Sequence, residues 1–254
     1  MRWGAEALWE AVAPLLPGFT IEILPEVDST NSELMRRARA GRAEPVLLVA
    51  EHQSAGRGRL GRAWASAPGD SLTFSLGLPL APADWSGLSL AVGVSLAESL
   101  HPDLCLKWPN DLWLADRKLA GILIETASFG AGGAAARQAV IGVGINIAPR
   151  PAGGLSTPPA ALRELLPDID APGALSRVVP GLVRDVLAFA QAGFAPFHAR
   201  FDARDALRGR AVTLSDGTSG TAAGVAGDGS LLVHTAAGLH AVGSSEVSVR
   251  PAVR

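Results

Sequence analysis

The sequence predicts an α+β protein, in which a mixed β-sheet flanked by helices is followed by a small antiparallel β-barrel. Up to residue 203, apolar strand-like runs alternate irregularly with stretches of helical period. From Leu207 onwards, short alternating strands are separated by Asp216-Gly217, Asp228-Gly229 and Ala237-Gly238. At 254 residues and 48% hydrophobic content, the chain can bury one large core. We therefore expect a main domain over residues 1–206 and a barrel domain over residues 207–254.

The first quarter of the chain predicts two helices and two strands. Residues 5–15 have the spacing of a short helix, and residues 19–27 alternate like a strand. The run from Asp28 to Asn31 offers several capping side chains before a helix of about ten residues. Pro45 then precedes the apolar strand 46–50.

A long loop over residues 51–70 is predicted next, because it contains four glycines and has no hydrophobic period. Loops of this length within a compact domain are usually functional lids or disordered segments. A strand over 71–78 and a helix over 85–100 follow, and then strands over 104–108, 112–114, 118–127 and 138–147. The last two are almost continuously apolar, so we place them near the centre of the sheet.

The remaining part of the main domain contains loops and helices. Residues 130–136, GAGGAAA, predict a flexible hairpin turn, and residues 148–159 predict a proline-rich loop. Helices are expected over roughly 159–166 and 173–203 from their apolar spacing.

The composition of the chain argues against several classes of function. The net charge is −2, so no overall field favours nucleic acid or an anionic membrane. The single cysteine, Cys105, cannot form an internal disulfide, which fits a reducing compartment. The N-terminus lacks the features of a signal peptide, and no run is long enough to span a bilayer. We expect a cytoplasmic protein.

Lysine and asparagine are rare and are confined to a few segments. Only two of the 22 basic residues are lysines, Lys107 and Lys118, and the three asparagines are Asn31, Asn110 and Asn146. Arginine serves elsewhere wherever a positive charge suffices, so the two lysines indicate sites that need a compact ammonium group. The asparagines likewise indicate sites that need a neutral amide.

The sequence GRGRLGR at 56–62 places Arg57, Arg59 and Arg62 close together on a glycine-rich loop. Their like charges repel, so we expect the loop to be mobile until an anion, most naturally a polyphosphate, gathers the guanidinium groups. A solvated basic loop or an RNA contact remains an alternative. The spacing differs from that of a P-loop, and no helix follows as a dinucleotide-binding fingerprint requires.

The segment KWPND at 107–111 ends a predicted strand in a turn that Pro109 makes rigid. It holds Lys107, Asn110 and Asp111 at a strand terminus, where folds of this kind place reactive groups. Lys118 begins a buried strand, and its ammonium can balance the charge that develops on a carboxylate or an α-phosphate. Three glycines lie within predicted strands: Gly121, Gly142 and Gly144. They indicate that a backbone segment or a ligand lies close to these strands. A packed turn and ordinary tight sheet packing are the alternatives.

Taken together, the strings DSTN, EHQSAGRGRLGRAW, KWPNDLW, KLAGILIE and GVGINI resemble biotin protein ligases in order and spacing. LRGRAVTL and SSEVSVR resemble the small C-terminal barrel of that family. The resemblance implies a catalytic domain like that of class II synthetases and a C-terminal barrel like an SH3 domain. It also implies activation of biotin with Mg-ATP to biotinyl-5′-AMP, followed by transfer to one lysine of the biotin carboxyl carrier protein of acetyl-CoA carboxylase.

The resemblance also implies roles for single residues. On the biotin side, Ser29, Thr30 and Asn31 would bond the ureido ring and Gln53 would line the same pocket. Arg57, Gly58 and Arg59 would close over biotin and the phosphates, and Gly56 would belong to the same binding surface. Arg62 would face pyrophosphate, and Trp64 would pack on the bound ligand.

On the nucleotide side, Lys118 would bridge the biotin carboxylate and the α-phosphate, and Asn146 would lie near the nucleotide. Lys107 and Asp111 would support the second step or the placement of metal and phosphate. Asn110, Gly121 and Gly142 complete the binding surface that the resemblance implies. No residue is assigned as a Mg²⁺ ligand.

Many bacterial relatives carry an N-terminal DNA-binding domain, whereas about twenty residues precede the first predicted strand here. We expect no DNA-binding role, no membrane association, and a monomer or a homodimer. A lipoate ligase or octanoyl transferase is the nearest alternative, but those relatives lack GRGRLGR together with KWPND. A non-catalytic RNA-binding module is a more remote one, and it leaves the clustering of the lysines and asparagines unexplained.

Overall fold

The computed structural model describes residues 1–128, 137–151, 157–243 and 249–251, and its strands form one seven-stranded and one five-stranded sheet. The helices are α1 Ala5–Val12, α2 Thr30–Arg39, α3 Leu88–Leu100, α4 Ala171–Ala192 and α5 His198–Asp202. The strands of the larger sheet are β1 Thr20–Val27, β2 Val46–Gln53, β3 Ser71–Leu80, β4 Cys105–Lys107, β5 Asp111–Leu114, β6 Arg117–Ser128 and β7 Arg137–Asn146. Those of the smaller sheet are β8 Ala211–Leu214, β9 Ser219–Val225, β10 Leu231–Thr235, β11 Gly238–Val242 and β12 Val249–Pro251.

The larger sheet is mixed and has the order β1-β2-β3-β7-β6-β5-β4. β1 and β2 are parallel, and the other neighbours are antiparallel. The central strand is β7, and all of its residues after Arg137 are buried. The predicted α+β architecture and the central position of this apolar strand are therefore confirmed.

Helices cover the two faces of this sheet unequally. On one face α3 and α4 pack together against the sheet and enclose the main core. On the other face α2 contributes Leu34, Met35 and Ala38 to a smaller apolar cluster. Because α2 covers only part of this face, the rest of it, crossed by β6 and β7, is left for the cavity described below. No helix in the described ranges is long and apolar enough to cross a membrane.

Several element ends differ from the prediction for local reasons. α1 ends at Val12 rather than at residue 15, because Pro14 has no N–H group and cannot continue the helical hydrogen bonds. β2 continues to Gln53, since His52 and Gln53 pair with β1. α3 begins at Leu88 rather than at residue 85, because Gly87 has a φ of 79° that interrupts the helix.

The predicted helices over 159–166 and 173–203 are wrong in extent. The first is a single 3-10 turn at Leu162–Glu164. The second is α4, which begins after Asp170, whose carboxylate accepts a bond from the Gly173 amide, and which stops at Gly193, where φ is 65°. A 3-10 turn and the short α5 follow. The predicted turn at 130–136, residues 152–156 of the proline-rich loop and residues 244–248 of the motif SSEVSVR lie outside the described residues.

The five-stranded sheet is antiparallel, and each of its three predicted turns places a glycine at positive φ: 91° at Gly217, 84° at Gly229 and 115° at Gly238. The buried side chains of the five-stranded sheet belong to the main core, which shows that this sheet packs on the larger one. Trp108 is fully buried between the sheets, and its indole Nε1 donates to the Gly229 carbonyl at 3.0 Å. The two sheets thus share one interior.

Trp108→Phe is expected to lower the free energy of unfolding by about 1–3 kcal/mol, because it leaves the buried Gly229 carbonyl without its donor. Urea unfolding measures this change. Trp9→Phe is the matched control, since that indole also donates to a carbonyl but is 47% exposed, and water can replace the lost bond. Equal losses in the two variants would contradict the role given to Trp108.

Candidate functional site

A cavity of about 610 Å³ lies on the open face of the larger sheet, and its walls come from both sheets. This volume is typical of a small-molecule site. All of the site residues predicted from the sequence line it except Gly56 and Asn146. Those lining it are Ser29, Thr30, Asn31, Gln53, Arg57, Gly58, Arg59, Arg62, Trp64, Lys107, Asn110, Asp111, Lys118, Gly121 and Gly142.

One end of the cavity is polar and is built around the start of α2. Ser29 caps the helix, with its hydroxyl 3.4 Å from the Ser32 amide. The amide and hydroxyl of Thr30 both contact Gln53 Oε1, at 2.8 and 3.1 Å. Because these contacts fix the Gln53 oxygen, its Nε2 group is oriented as a donor. This end therefore presents neutral donors and acceptors rather than charges.

Asn31 is buried at this polar end, and it belongs to a hydrogen-bond network that the sequence does not reveal. Its Nδ2 donates to the Leu123 carbonyl at 3.1 Å and to Glu125 Oε2 at 3.0 Å. Its Oδ1 accepts from the buried Ser75 hydroxyl at 2.6 Å, which leaves one lone pair for a ligand donor. A Cβ at Gly142 would lie 2.1 Å from this Oδ1, so only glycine leaves room for the amide.

The arginine loop forms a short hairpin. Arg57 bridges to Ala63, the Gly58 amide donates to the Arg62 carbonyl at 2.7 Å, and the Trp64 amide donates to the Gly56 carbonyl at 2.8 Å. Gly56 lies just outside the cavity lining, and a Cβ there would approach the Trp64 carbonyl to 2.3 Å. The mobility expected of this loop in the absence of an anion stays a prediction.

The carboxylate that offsets this repulsion comes from a distant strand. Arg57 Nη2 lies 2.6 Å from Glu125 Oε2 on β6, 68 positions along the chain. A scan of the loop sequence alone cannot identify such a counter-charge.

Trp64 packs on the two glycine-bearing strands. A Cβ at Gly144 would lie 2.3 Å from its ring, so the glycine lets the indole lie against the backbone of β7. The Lys118 ammonium and the Arg150 guanidinium lie 5.8 and 5.4 Å from the ring. The indole Nε1 is buried and has no partner among the described residues, which leaves a donor for a ligand.

The two rare lysines both reach the cavity, as the sequence predicts. Lys118 Nζ lies 2.6 Å from Asp111 Oδ1, and Lys107 Nζ lies 5.8 Å from the ring of Trp113. Burial lowers the pKa of Lys107 to about 8, and the nearby ammonium of Lys118 acts in the same direction while Asp111 opposes it. Asn110 is held by the sheet, because its Nδ2 donates to the Ile122 carbonyl at 2.7 Å.

Asn146 lies behind the cavity wall. Its Nδ2 donates to the carbonyls of Lys118, at 3.2 Å, and Ala160, at 3.0 Å. It therefore joins the strand that carries Lys118 to the segment after the proline-rich loop. Its Oδ1 is buried and lacks a partner in the part of the chain that is described.

Several lining residues were missed by sequence reasoning because they come from distant parts of the chain. Arg210 and Arg250 belong to the second sheet region, and Arg210 pairs with Asp116 at 2.5 Å. Arg150 follows β7 and donates to the Ala65 carbonyl at 3.1 Å. Arg150 lies four positions after the asparagine of GIN, and this nearness to the motif is the signal that could have identified it.

The lining is strongly cationic. Among the described residues, eight cationic side chains but only two carboxylates line the cavity; the carboxylates are Asp111 and Asp116, and both are paired with cations. Burial lowers the pKa of Arg59 and that of Arg150, as expected for partly desolvated cations. No group of three metal-binding side chains occurs within the described ranges. The arrangement fits an organic ligand with a polar neutral end and a polyanionic end.

Comparisons with known proteins agree with this geometry. The model of the Biotin/lipoate A/B protein ligase family matches residues 24–146, and that of the Biotin protein ligase C terminal domain matches residues 207–250. The bifunctional ligase/repressor BirA of Escherichia coli is 36% identical over 248 residues, which are 93% of this chain and 76% of BirA. The biotin–[acetyl-CoA-carboxylase] ligase of Paracoccus denitrificans is 32% identical over 89% of this chain and 98% of its own.

A solved structure gives the same result. The biotin protein ligase from Aquifex aeolicus in complex with biotin and ATP superposes with a TM-score of 0.77 and 28% identity, covering 92% of this chain and 99% of that one.

Gly142→Ala is expected to destabilise the protein by about 1–3 kcal/mol, because the new Cβ would force Asn31 out of its network. Urea unfolding checks this, and a crystal structure of the variant should show the Asn31 amide displaced. Gly58→Ala is the control: its Cβ would have its nearest contact at 3.5 Å, so stability should change little. An undisturbed Asn31 in Gly142→Ala would contradict the account.

Proposed function

The chain belongs to the biotin/lipoate A/B protein ligase family, and from this premise we propose how its residues activate biotin with ATP and transfer it to a carrier lysine. The observation that carries the residue assignments is the two-part cavity, in which a neutral polar pocket adjoins a wall of eight cations. Biotin carries a neutral ureido ring at one end and a carboxylate at the other. ATP supplies the polyanion that the cationic wall requires.

Biotin is distinguished from lipoate by the second match. The first family model covers both kinds of ligase, whereas the C-terminal model and the named relatives are those of biotin ligases. The polar network around Asn31 and Gln53 suits a ureido ring, which donates and accepts hydrogen bonds, and a dithiolane ring offers no such groups.

For the biotin pocket, we assign ureido binding to Ser29, Thr30, Asn31 and Gln53. Asn31 Oδ1 has a free lone pair for a ureido N–H, and Gln53 Nε2 can donate to the ureido oxygen. The glycines of β6 and β7 allow the ligand to lie close to the sheet. Trp64 closes one side of the pocket by packing over these strands.

In the first step, an oxygen of the biotin carboxylate attacks the α-phosphorus of ATP. The bond from the α-phosphorus to the bridging oxygen breaks, and pyrophosphate leaves with that oxygen. Lys118 neutralises charge on the carboxylate and the α-phosphate, and Asp111 holds its ammonium at 2.6 Å. Arg57, Arg59 and Arg62 attract the phosphates, while Asn146 fixes the backbone that carries Lys118.

In the second step, the neutral amine of the carrier lysine attacks the acyl carbon of biotinyl-AMP, the bond from that carbon to the phosphate oxygen breaks, AMP leaves, and the nitrogen loses a proton to solvent as the amide forms. No side chain becomes covalently attached, so positioning and charge neutralisation supply the acceleration. Lys107 and Asp111 are assigned to this step or to phosphate placement. Mg²⁺ is expected to enter with ATP, because this ion commonly binds through phosphates and one or two carboxylates.

The acceptor, we propose, is the biotin carboxyl carrier protein of acetyl-CoA carboxylase, which the names of two relatives support. A domain boundary near residue 206 is supported by the start of the second sheet at Ala211. A cytoplasmic location and the absence of a DNA-binding role stay predictions, as does the choice between monomer and homodimer. Tight, salt-sensitive RNA binding without biotin-dependent exchange between ATP and pyrophosphate would favour the RNA-binding alternative.

Lys118→Arg is expected to reduce biotin-dependent ATP–pyrophosphate exchange by about 10²–10³, because a wide planar fork cannot replace the compact ammonium beside Asp111. Arg117→Lys is the matched control, since the neighbouring Arg117 pairs with Glu164 at 2.5 Å and does not line the cavity. It should change exchange little. Near-full exchange by Lys118→Arg would refute the role of Lys118, and background exchange by the unmodified protein would refute the whole assignment.

Lys107 is expected to make the KM for ATP depend on pH. Its pKa of about 8 means that it loses its proton as the pH rises through that value, and the cavity then has one cation fewer. The KM of the unmodified protein should rise between about pH 7 and pH 9.5, whereas Lys107→Arg should stay nearly flat, because arginine remains charged. Parallel curves for the two proteins would show that another group titrates.

A further inference from the structure

Glu125 on β6 links two parts of the site that the mechanism above treats separately. Its Oε2 lies 3.0 Å from Asn31 Nδ2 in the biotin pocket and 2.6 Å from Arg57 Nη2 in the arginine loop. The side chain is 25% exposed, so the shared oxygen is partly shielded from water. One carboxylate oxygen therefore serves both groups.

On the side of the biotin pocket, Glu125 fixes the orientation of the Asn31 amide. Rotating that amide by half a turn would place Oδ1 against two acceptors, the Leu123 carbonyl and the Glu125 carboxylate. Glu125 thus keeps Nδ2 on its own side and keeps Oδ1 toward Ser75. The free lone pair of Oδ1 then has one defined direction.

On the side of the loop, Glu125 offsets the repulsion among the arginines. Its contact with Arg57 lies beside the bridge between Arg57 and Ala63 that closes the hairpin. A partly shielded pair of this kind holds the guanidinium more firmly than a fully exposed one. Glu125 therefore holds Arg57, the residue whose bridge to Ala63 closes the hairpin.

We propose that Glu125 is a positioning residue that couples the biotin-binding amide of Asn31 to closure of the arginine loop. The proposal rests on the proposed function, because it takes Asn31 as the ureido contact. A ureido N–H bound to Asn31 Oδ1 holds the amide in place, the amide holds the carboxylate, and the carboxylate holds Arg57. Biotin binding and loop closure then favour each other.

Glu125 lies far from the reacting atoms. It lies seven positions after Lys118 along β6, which corresponds to roughly 23 Å of extended strand. Loss of the Glu125 charge should therefore weaken the holding of biotin, and because Arg57 keeps its own charge for the phosphates, the displacement at phosphorus should stay nearly unchanged.

Glu125→Gln tests the charge of this contact, because the glutamine oxygen still accepts from Asn31 Nδ2 while the negative charge facing Arg57 disappears. In biotin-dependent ATP–pyrophosphate exchange, the KM for biotin should rise about fivefold and kcat should stay within about twofold. Hydrogen exchange in the peptide spanning 54–66 should speed up by a similar factor. That peptide contains the bonded amides of Gly58 and Trp64.

Arg57→Gln removes the same contact from the loop side. It is the variant in which the effect of Glu125→Gln is then measured again. If the proposal is right, adding Glu125→Gln to Arg57→Gln produces no further rise in the KM for biotin. Glu98→Gln is the matched control, because it also removes a carboxylate paired with an arginine, Arg200, but away from the cavity. It should leave both readouts unchanged.

Two results would overturn the coupling: an unchanged KM and loop exchange in Glu125→Gln, or an equal rise in KM with and without Arg57. The second result would mean that Glu125 acts on Asn31 alone. Failure of the proposed function is distinguishable, since in that case the unmodified protein itself shows no biotin-dependent exchange.

Discussion

The unbalanced positive charge of the cavity is the constraint on which the rest of the site depends. Like charges this close raise the energy of the folded protein unless carboxylates, burial of their stems or a bound anion compensate. The protein compensates in part through three ion pairs, Lys118 with Asp111, Arg210 with Asp116 and Arg57 with Glu125. Because the described lining holds eight cationic side chains and two carboxylates, a polyanion gains strongly by binding there.

The sheet determines where these charges meet. The glycines of β6 and β7 let Asn31 and Trp64 lie against the backbone, so neutral and charged walls stand side by side. Asn146 and the bond between Trp108 and Gly229 hold the strands and the second sheet behind this wall. The fold therefore places Asn31, Gln53 and Lys118 on one surface, and a single bound molecule can contact all three.

Much of this could be predicted from the sequence where the signal is local. The scarcity of lysine marked Lys107 and Lys118, and the glycine-arginine run marked the loop, because composition and spacing are properties of short segments. The partners of these residues could not be predicted. Ser75, Glu125 and Arg210 reach the site only through strand pairing and sheet packing over long separations. The helix predicted over 173–203 was too long because apolar spacing alone did not register the interruption at Gly193.

The most direct test is isolation of the intermediate. The protein is incubated with biotin and ATP labelled at the α-phosphate, without any carrier, and is then separated from free nucleotide by gel filtration. The expected result is that the label elutes with the protein only when biotin is present, and that mass spectrometry identifies it as biotinyl-AMP. Label that elutes with the protein equally without biotin, or none at all, would contradict the view that this cationic cavity forms and holds the adenylate.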